Sequence, residues 1–415
     1  MPDAEPPDAG VLDPQEAAVA QGTVGVQMLS AYRDELDSWT VAGLVENHTN
    51  QAVSGIQIEV EALDANGGWL YSEAAYPSLY SLDPGEVSPF SLWIWENLPS
   101  AQVFTATITG YQPAELDRAQ VEIRNVKTTS GEDDFHIAGE MVNPNDYPIQ
   151  IWGLSGAVFG QADQLVNVAT DSTAISALGP GESGPFRITL DNPTGERIED
   201  YSLYTDVEMT QPLDSFSVHF LEESHYTDSD GDFHLAGELR NDSDAYLSIS
   251  LVAAYYDPAG LVLDADRVDL PVFSLAPGEQ TFYHFDSWGP LSTSPGAFDA
   301  ASRYLIFVDQ GWTWETGSRV VDLAYTDGGF EFDPYWGLVF SGEVINDSGY
   351  LLEGGQMLVV TREKEGGALL AVGSTTLFDE IPAGGRADYE VIVEVGTDFD
   401  LSSFQYDLIA KGEVP

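Results

Sequence analysis

The residues best suited to catalysis or metal binding are the six histidines, because an imidazole can ligate a metal and can titrate near neutral pH. His136 and His234 occupy the same place in two related segments, Asp-Phe-His-Ile-Ala-Gly-Glu and Asp-Phe-His-Leu-Ala-Gly-Glu. Successive side chains of a strand point to opposite faces, so both imidazoles should point away from the preceding phenylalanine and towards solvent. No His-Glu-x-x-His, Gly-x-Ser-x-Gly or phosphate-binding glycine loop occurs. The sequence therefore predicts a protein that is not an enzyme.

The strongest candidate for a metal site is an acidic hairpin tip, Asp228, Asp230 and Asp232. Carboxylates at positions 1, 3 and 5 imitate the opening of a calcium loop, since Ca²⁺ prefers several hard oxygen ligands. The match ends there, because Phe233 replaces the invariant glycine of such a loop and Leu239 replaces its bidentate glutamate. Two interpretations remain open: a weak calcium site and a solvated acidic turn.

A pair of tryptophans, Trp93 and Trp95, is the candidate contact surface. Leu92 and Ile94 alternate with them in one strand and are expected to face the core. Two aromatic side chains on one exposed strand face bury much area when they are covered. We predict that they pack on a neighbouring domain or on another chain, and a sugar-stacking platform is the alternative.

These residues lie in a chain that repeats itself four times. A segment Gly-x-x-x-Asn recurs at intervals of 96, 98 and 105 residues, and a turn, Pro-Gly-Glu or in the last copy Ala-Gly-Gly, follows 41 or 42 residues after each glycine. We call the first and last residues of the Gly-x-x-x-Asn segment the marker glycine and the marker asparagine, and we number the copies as repeats 1 to 4. A strand glycine allows a close approach, an asparagine can bond its own turn, and Pro-Gly supplies a tight turn. The four copies are Gly43–Asn47, Gly139–Asn143, Gly237–Asn241 and Gly342–Asn346.

The elements that position these residues are predicted to be β-strands. Period-2 alternation without a helical period, with roughly seven short strands per repeat, is typical of an immunoglobulin-like sandwich. We predict an all-β chain of four tandem immunoglobulin-like antiparallel β-sandwiches in an elongated arrangement, because the linkers are short and partly stiff. The predicted division is a flexible acidic spacer at 1–19 followed by four domains at 20–113, 114–212, 213–315 and 316–415, which contain repeats 1 to 4 in that order.

Repeat 3 also carries a family resemblance. Its segments Gly237–Asn241, Ala253-Ala-Tyr-Tyr-Asp257 and Leu275-Ala-Pro-Gly-Glu279 resemble the FxLYD domain, an immunoglobulin-like module of bacterial and archaeal surface proteins. The sequence departs from that family where Ala253 and Tyr255 replace the Phe and Leu of its name, and repeats 2 and 4 lack the Tyr-Asp pair. The resemblance implies an exported β-sandwich protein without catalytic residues.

Composition excludes several classes of partner. Lys and Arg number 14 against 69 Asp and Glu, a net charge of −55, which repels phosphate backbones and anionic lipid. We therefore expect no nucleic-acid binding. The absence of cysteine removes disulfides and thiolate chemistry. No apolar run reaches the length of a membrane helix, so no direct membrane insertion is expected.

The expected location is extracellular or at the cell surface, with an export signal or lipid anchor removed ahead of Met1, and a cytosolic protein is the alternative. We predict a structural or adhesive protein that binds protein partners or assembles with itself into a filament or lattice. A carbohydrate-binding protein and an accessory subunit of a larger extracellular complex remain alternatives. Glycan sequons coincide with the marker asparagines Asn47, Asn241 and Asn346, where turn chemistry is sufficient explanation.

Overall fold

The fold is built of antiparallel β-sheets, as a computed structural model of the chain shows. Strand accounts for 66% of the structure and no α-helix occurs in the described residues, which confirms the predicted all-β class. The one helical turn described is a 3₁₀ turn at Gln161–Asp163. The structure describes residues 22–33, 38–115, 118–131, 134–170, 175–192, 195–211, 216–228, 231–271, 274–286, 301–309, 312–314, 319–377 and 380–414.

The chain divides into two compact units, residues 1–212 and 213–415. The strands of the first unit are β1 Val24–Arg33, β2 Trp39–Asn47, β3 Val53–Leu63, β4 Trp69–Ala75, β5 Ser81–Leu82, β6 Val87–Ile94, β7 Val103–Pro113, β8 Glu122–Ser130, β9 Asp134–Val142, β10 Ile149–Phe159, β11 Leu165–Thr170, β12 Ala177–Leu178, β13 Ser183–Asp191 and β14 Asp200–Met209. Its described residues form four sheets, with strand orders β1-β2-β6, β4-β3-β5 with β7 also on β3, β13-β9-β8, and β11-β10-β12 with β14 also on β10.

The strands of the second unit are β15 Val218–Thr227, β16 Phe233–Asn241, β17 Tyr246–Ser248, β18 Ser250–Tyr256, β19 Val262–Asp269, β20 Gln280–Asp286, β21 Arg303–Val308, β22 Trp312–Trp314, β23 Arg319–Asp322, β24 Ala324–Asp333, β25 Gly337–Ile345, β26 Gly354–Glu363, β27 Leu369–Leu377, β28 Arg386–Val393 and β29 Phe404–Val414. They pair in sheets with strand orders β15-β16-β20, β19-β18-β21, β17-β22, β24-β25-β28 and β23-β29-β26-β27.

The marker residues of each repeat have the same structural roles. Each marker glycine pairs across strands with an aromatic residue, and that ring fills the space where a side chain would start. A Cβ added at Gly139, for example, would lie 2.8 Å from Cζ of Phe186. The glycine of the following turn has a positive φ of 75° to 80° in every repeat, which confirms the predicted tight turn. These turn glycines are Gly85, Gly181, Gly278 and Gly384.

Buried apolar residues lie within the repeats and also between neighbouring repeats of one unit. In repeat 1, a core that includes Val41, Ile58 and Phe90 collects inward side chains of β2, β3 and β6. A separate cluster in the first unit joins outward residues of repeat 1 to residues of repeat 2, and its members are Ala42, Leu44, Ala157, Leu165 and Val168. The corresponding cluster in the second unit joins repeat 3 to repeat 4 through Ala236, Phe282, Leu358, Val360, Leu369 and Val372. In both units a sheet face that points away from its own core is therefore covered.

Candidate functional site

The two repeat-related histidines are buried, and the expectation that they face solvent is wrong. His136 is 3% exposed and His234 is 0% exposed. Alternation does point both rings away from Phe135 and Phe233, which lie in the core. The sheet face that carries His234 is itself covered, because β27 packs against β15, β16 and β20. Strand periodicity tells which face a residue takes and does not tell what covers that face.

His234 lies in a cross-strand row of polar side chains. Tyr226 on β15 and Asp286 on β20 are its direct neighbours on either side. The Tyr226 ring stacks on His234, with centroids 4.8 Å apart and planes at 12°. His284, two residues before Asp286 on the same strand face, brings its Nε2 to 3.0 Å from Nδ1 of His234. Three adjacent strands thus bring two imidazoles and a carboxylate together.

Repeat 4 supplies a second carboxylate to this cluster. Oε2 of Glu394, which follows the end of β28, lies 3.5 Å from Nδ1 of His234, and Oδ1 of Asp286 lies 3.7 Å from the same nitrogen. The Tyr226 hydroxyl donates a 2.9 Å hydrogen bond to the Glu394 carbonyl, and the Thr397 amide donates to the Thr227 carbonyl at 3.2 Å. These bonds tie the segment after β28 to β15 and so place the Glu394 side chain.

The protonation of the cluster follows from its burial. Burial is the larger cause and the electrostatic effect of the neighbouring His234 the smaller one, and together they lower the pKa of His284 to about 3. The pKa of Glu394 is raised, mainly because the group is buried and secondly because the Asp286 carboxylate is near. The pKa of Tyr226 is raised well above its ordinary value, mainly by burial and secondly by the charge of Glu394. One ligand atom each from His234, His284 and Glu394 lie within 4.8 Å of one another, a set that can hold a metal ion.

The acidic hairpin lies beside this cluster. Oδ1 of Asp228 accepts hydrogen bonds from the amides of Gly231 at 2.9 Å and Asp232 at 2.8 Å, which closes the tip. Its other oxygen, Oδ2, lies 3.4 Å from Nε2 of His234. Asp230 lies outside the described residues. The calcium site at Asp228, Asp230 and Asp232 stays a prediction, and the structure adds that Asp228 also faces an imidazole.

Trp93 lies near the end of β6 and Trp95 directly follows that strand, and their side chains are 42% and 71% exposed. Their ring centroids are 3.8 Å apart, with planes at 34°. Trp93 pairs across strands with Thr40, and the same register position holds Asp286 in repeat 3. The two rings form a two-residue apolar patch on the outer face of the sheet β1-β2-β6.

No sequence pattern indicated four members of this cluster, which are His284, Asp286, Tyr226 and Glu394. Pairing the marker glycine Gly237 with Tyr283 would have predicted one of these contacts, because that strand register places Asp286 opposite His234. Glu394 comes from another repeat, and no local pattern connects it to the histidines.

Comparisons with known proteins identify no family. No family model matches the chain, and no curated protein matches it. It is similar to the native conformation of E. coli alpha-2-macroglobulin, at 10% identity and a TM-score of 0.14, over 89% of this chain and 27% of that one. It is also similar to a Paenibacillus xanthan lyase, at 10% identity and a TM-score of 0.12, over 98% of this chain and 56% of that one. The chain therefore spans about a quarter and just over half of the length of these two proteins.

The described residues include no helix with the length and apolar character to span a membrane.

Proposed function

We propose that the chain is a non-enzymatic structural protein of the cell surface or extracellular space, built of four tandem immunoglobulin-like sandwiches related to FxLYD domains. In this proposal it serves as a multi-domain spacer that associates with further copies of itself. Tandem copies of one unit lengthen a spacer without requiring a different fold for each part. The net charge of −55 keeps such a protein soluble outside the cell.

The observation that carries this proposal is the apolar packing between repeats. Ala42 and Leu44 of repeat 1 pack with Leu165 of repeat 2, and Phe282 of repeat 3 packs with Leu369 of repeat 4. Apolar contacts of this kind resist bending between domains, whereas domains without them move by default. A spacer whose neighbouring repeats pack in this way is stiff within each unit.

The contact that we assign to assembly is the Trp93 and Trp95 pair. Aromatic side chains are enriched at the centres of protein interfaces because they bury a large area when covered. The two rings contact each other with their planes tilted at 34°, so each ring already covers part of the other. This favours packing against a protein surface over a platform on which a sugar ring would stack.

The double variant Trp93→Ser/Trp95→Ser should weaken self-association at least about tenfold, since truncating a tryptophan that is a hot spot of an interface costs about 2 kcal/mol or more. Sedimentation velocity over a range of protein concentrations measures the association constant. The melting temperature should change little, because both side chains are exposed.

A matched control replaces Trp69 and Trp336 by Ser, since these rings are 62% and 58% exposed and lie on other elements. The control should assemble as the wild type does. A wild-type chain that stays monomeric at every concentration, or a double variant that assembles normally, would contradict the proposed contact. Binding of a polysaccharide that is lost in the double variant alone would support the carbohydrate alternative instead.

A further inference from the structure

We propose that His234, His284 and Glu394 bind a divalent transition-metal ion of the zinc type, and that this ion joins repeat 3 to repeat 4. Two imidazoles come from the sheet β15-β16-β20, and the carboxylate comes from the segment after β28. This inference goes beyond the proposed function and does not depend on it, because no Trp93 or Trp95 contact enters it.

The distances fit a single ion. Zinc lies about 2.0–2.1 Å from nitrogen ligands and about 2.0–2.2 Å from carboxylate oxygens, so the donor atoms of a tetrahedral site are about 3.3–3.6 Å apart. Nδ1 of His234 lies 3.0 Å from Nε2 of His284 and 3.5 Å from Oε2 of Glu394. Oδ1 of Asp286, 3.7 Å from the same Nδ1, is in reach of the fourth position. Both distances from His234 Nδ1 are thus close to the tetrahedral spacing, and the three donor atoms all lie within 4.8 Å of one another.

The chemistry of the donors selects the class of ion. Neutral imidazole suits zinc, copper, nickel and iron, whereas calcium and magnesium take oxygen ligands almost exclusively. Nε2 of His284 and Nδ1 of His234 lie side by side, 3.0 Å apart, and a neutral imidazole nitrogen is a common ligand of such metals. Carboxylates beside the two imidazoles supply the negative charge that balances a dication.

Asp228 gives independent support as a positioning residue. Its Oδ2 faces Nε2 of His234 at 3.4 Å, and metal-bound histidines usually donate their other ring nitrogen to a carboxylate. A proton on Nε2 leaves Nδ1, which faces His284 and Glu394, as the ligating atom. The Asp228 side chain is itself held by the hairpin amides, so the ring orientation is set before an ion binds.

Repeat 2 provides an internal comparison. His136 occupies the same marker position, but its cross-strand neighbour on β13 is Thr189, and Arg187 stands where repeat 3 has His284. A cationic guanidinium in place of the second imidazole opposes cation binding. The repeat fold alone therefore does not create the site, and His136 is a matched control for it.

The experiment measures Zn²⁺ and Co²⁺ binding to the full chain by equilibrium dialysis, in a large excess of Ca²⁺ that saturates weak carboxylate sites. The wild-type chain should retain one tightly bound Zn²⁺ or Co²⁺ ion. His284→Gln and Glu394→Gln should each lower the affinity for this ion at least about 100-fold. Mutating a residue that only hydrogen-bonds to a metal ligand already lowers metal affinity about 10–100-fold. His136→Gln should bind as the wild type does.

Two further measurements separate loss of a ligand from loss of the fold. The metal-free variants should melt near the metal-free wild type, while Zn²⁺ should raise the melting temperature of the wild type and His136→Gln alone. Bound Co²⁺ should show the intense visible bands of a tetrahedral complex in those two proteins. No tightly bound ion in the wild type, or a bound ion that survives both His284→Gln and Glu394→Gln, would overturn the proposal.

Discussion

The marker asparagine uses its whole side chain in every repeat. Nδ2 of Asn241 donates to the carbonyls of Ala245 and Leu275 at 2.8 and 2.9 Å, and its Oδ1 accepts from the amide of Ser243 at 2.8 Å. Asn47, Asn143 and Asn346 make the corresponding bonds, and all four residues are 0% exposed. The amide nitrogen that a glycan would occupy is therefore committed to the fold at each sequon.

Asn241→Asp tests this role, because aspartate keeps the accepting oxygen and loses both donated bonds. The variant should lower the free energy of unfolding by at least about 3 kcal/mol at neutral pH, since it also buries a carboxylate beside carbonyl oxygens. Urea unfolding measures the change. Asn66→Asp adds the same charge at an exposed turn position and should stay within about 0.5 kcal/mol of the wild type; equal losses in both variants would contradict the assigned role.

Single residues also show how far the sequence could predict the site. The marker glycines and asparagines have turn and packing roles, as their types and spacing indicated. The burial of His136 and His234 was missed, because alternation gives the direction of a side chain relative to its own sheet only. Glu394 was missed because tertiary packing brings it to His234 from a different repeat. What a sequence pattern encodes is local, whereas this cluster is assembled by the contact between two repeats.

The elements that make this contact are β15, β16 and β20 on one side and β26 and β27 on the other. Arg362 on β26 donates to Oε2 of Glu222 at 2.7 Å and to Oε2 of Glu238 at 2.8 Å, and its guanidinium lies over the Phe282 ring at 5.7 Å. The Arg362 side chain is 18% exposed and that of Glu238 is 13% exposed. Because solvent screens these groups only in part, the pairs contribute more than an ordinary surface salt bridge.

Arg362→Met should therefore destabilise the second unit by about 2–3 kcal/mol, mainly because Glu238 is left partly buried without its cation. Chemical denaturation of the full chain, followed by a probe in the second unit, measures the loss. Arg386→Met removes an arginine whose pair with Glu343 has side chains 55% and 40% exposed and should cost less than about 0.5 kcal/mol. An Arg362→Met variant as stable as Arg386→Met would show that apolar packing alone holds the repeats together.

The same contact should weaken in acid. The Leu369 amide, which donates a 2.8 Å hydrogen bond to Oε1, and then Arg362 hold the pKa of Glu222 below its ordinary value of 4.5. A carboxyl group with a lowered pKa in the folded state stabilises the protein above its unfolded pKa, and that stabilisation is lost as the pH falls through the folded value. Denaturation at a series of pH values below 5 should show a steeper loss for the wild type than for Glu222→Gln, and parallel curves would contradict the assignment.

Charge dominates the whole chain. With 69 acidic residues against 14 basic ones, repulsion between carboxylates opposes the folded state in dilute buffer. Some of the few cations lie at contacts between repeats; Lys411 of repeat 4, for example, bonds to Glu279 of repeat 3 at 2.7 Å. Salt screens such attractive pairs as well as the repulsion. The repulsive pairs are far more numerous, so screening should stabilise the protein overall.

We therefore expect the melting temperature to rise as sodium chloride is added, most steeply up to about 0.15 M, where the Debye length has fallen to about 8 Å. The acidic hairpin allows a second comparison, calcium against chelator at equal ionic strength. A higher melting temperature in calcium would support a site at Asp228, Asp230 and Asp232, and Asp230→Asn should then abolish the difference. Equal melting temperatures would remove the calcium site and leave the screening argument intact. A melting temperature that stays flat or falls with sodium chloride would contradict the screening argument itself, because attractive pairs would then outweigh the repulsion.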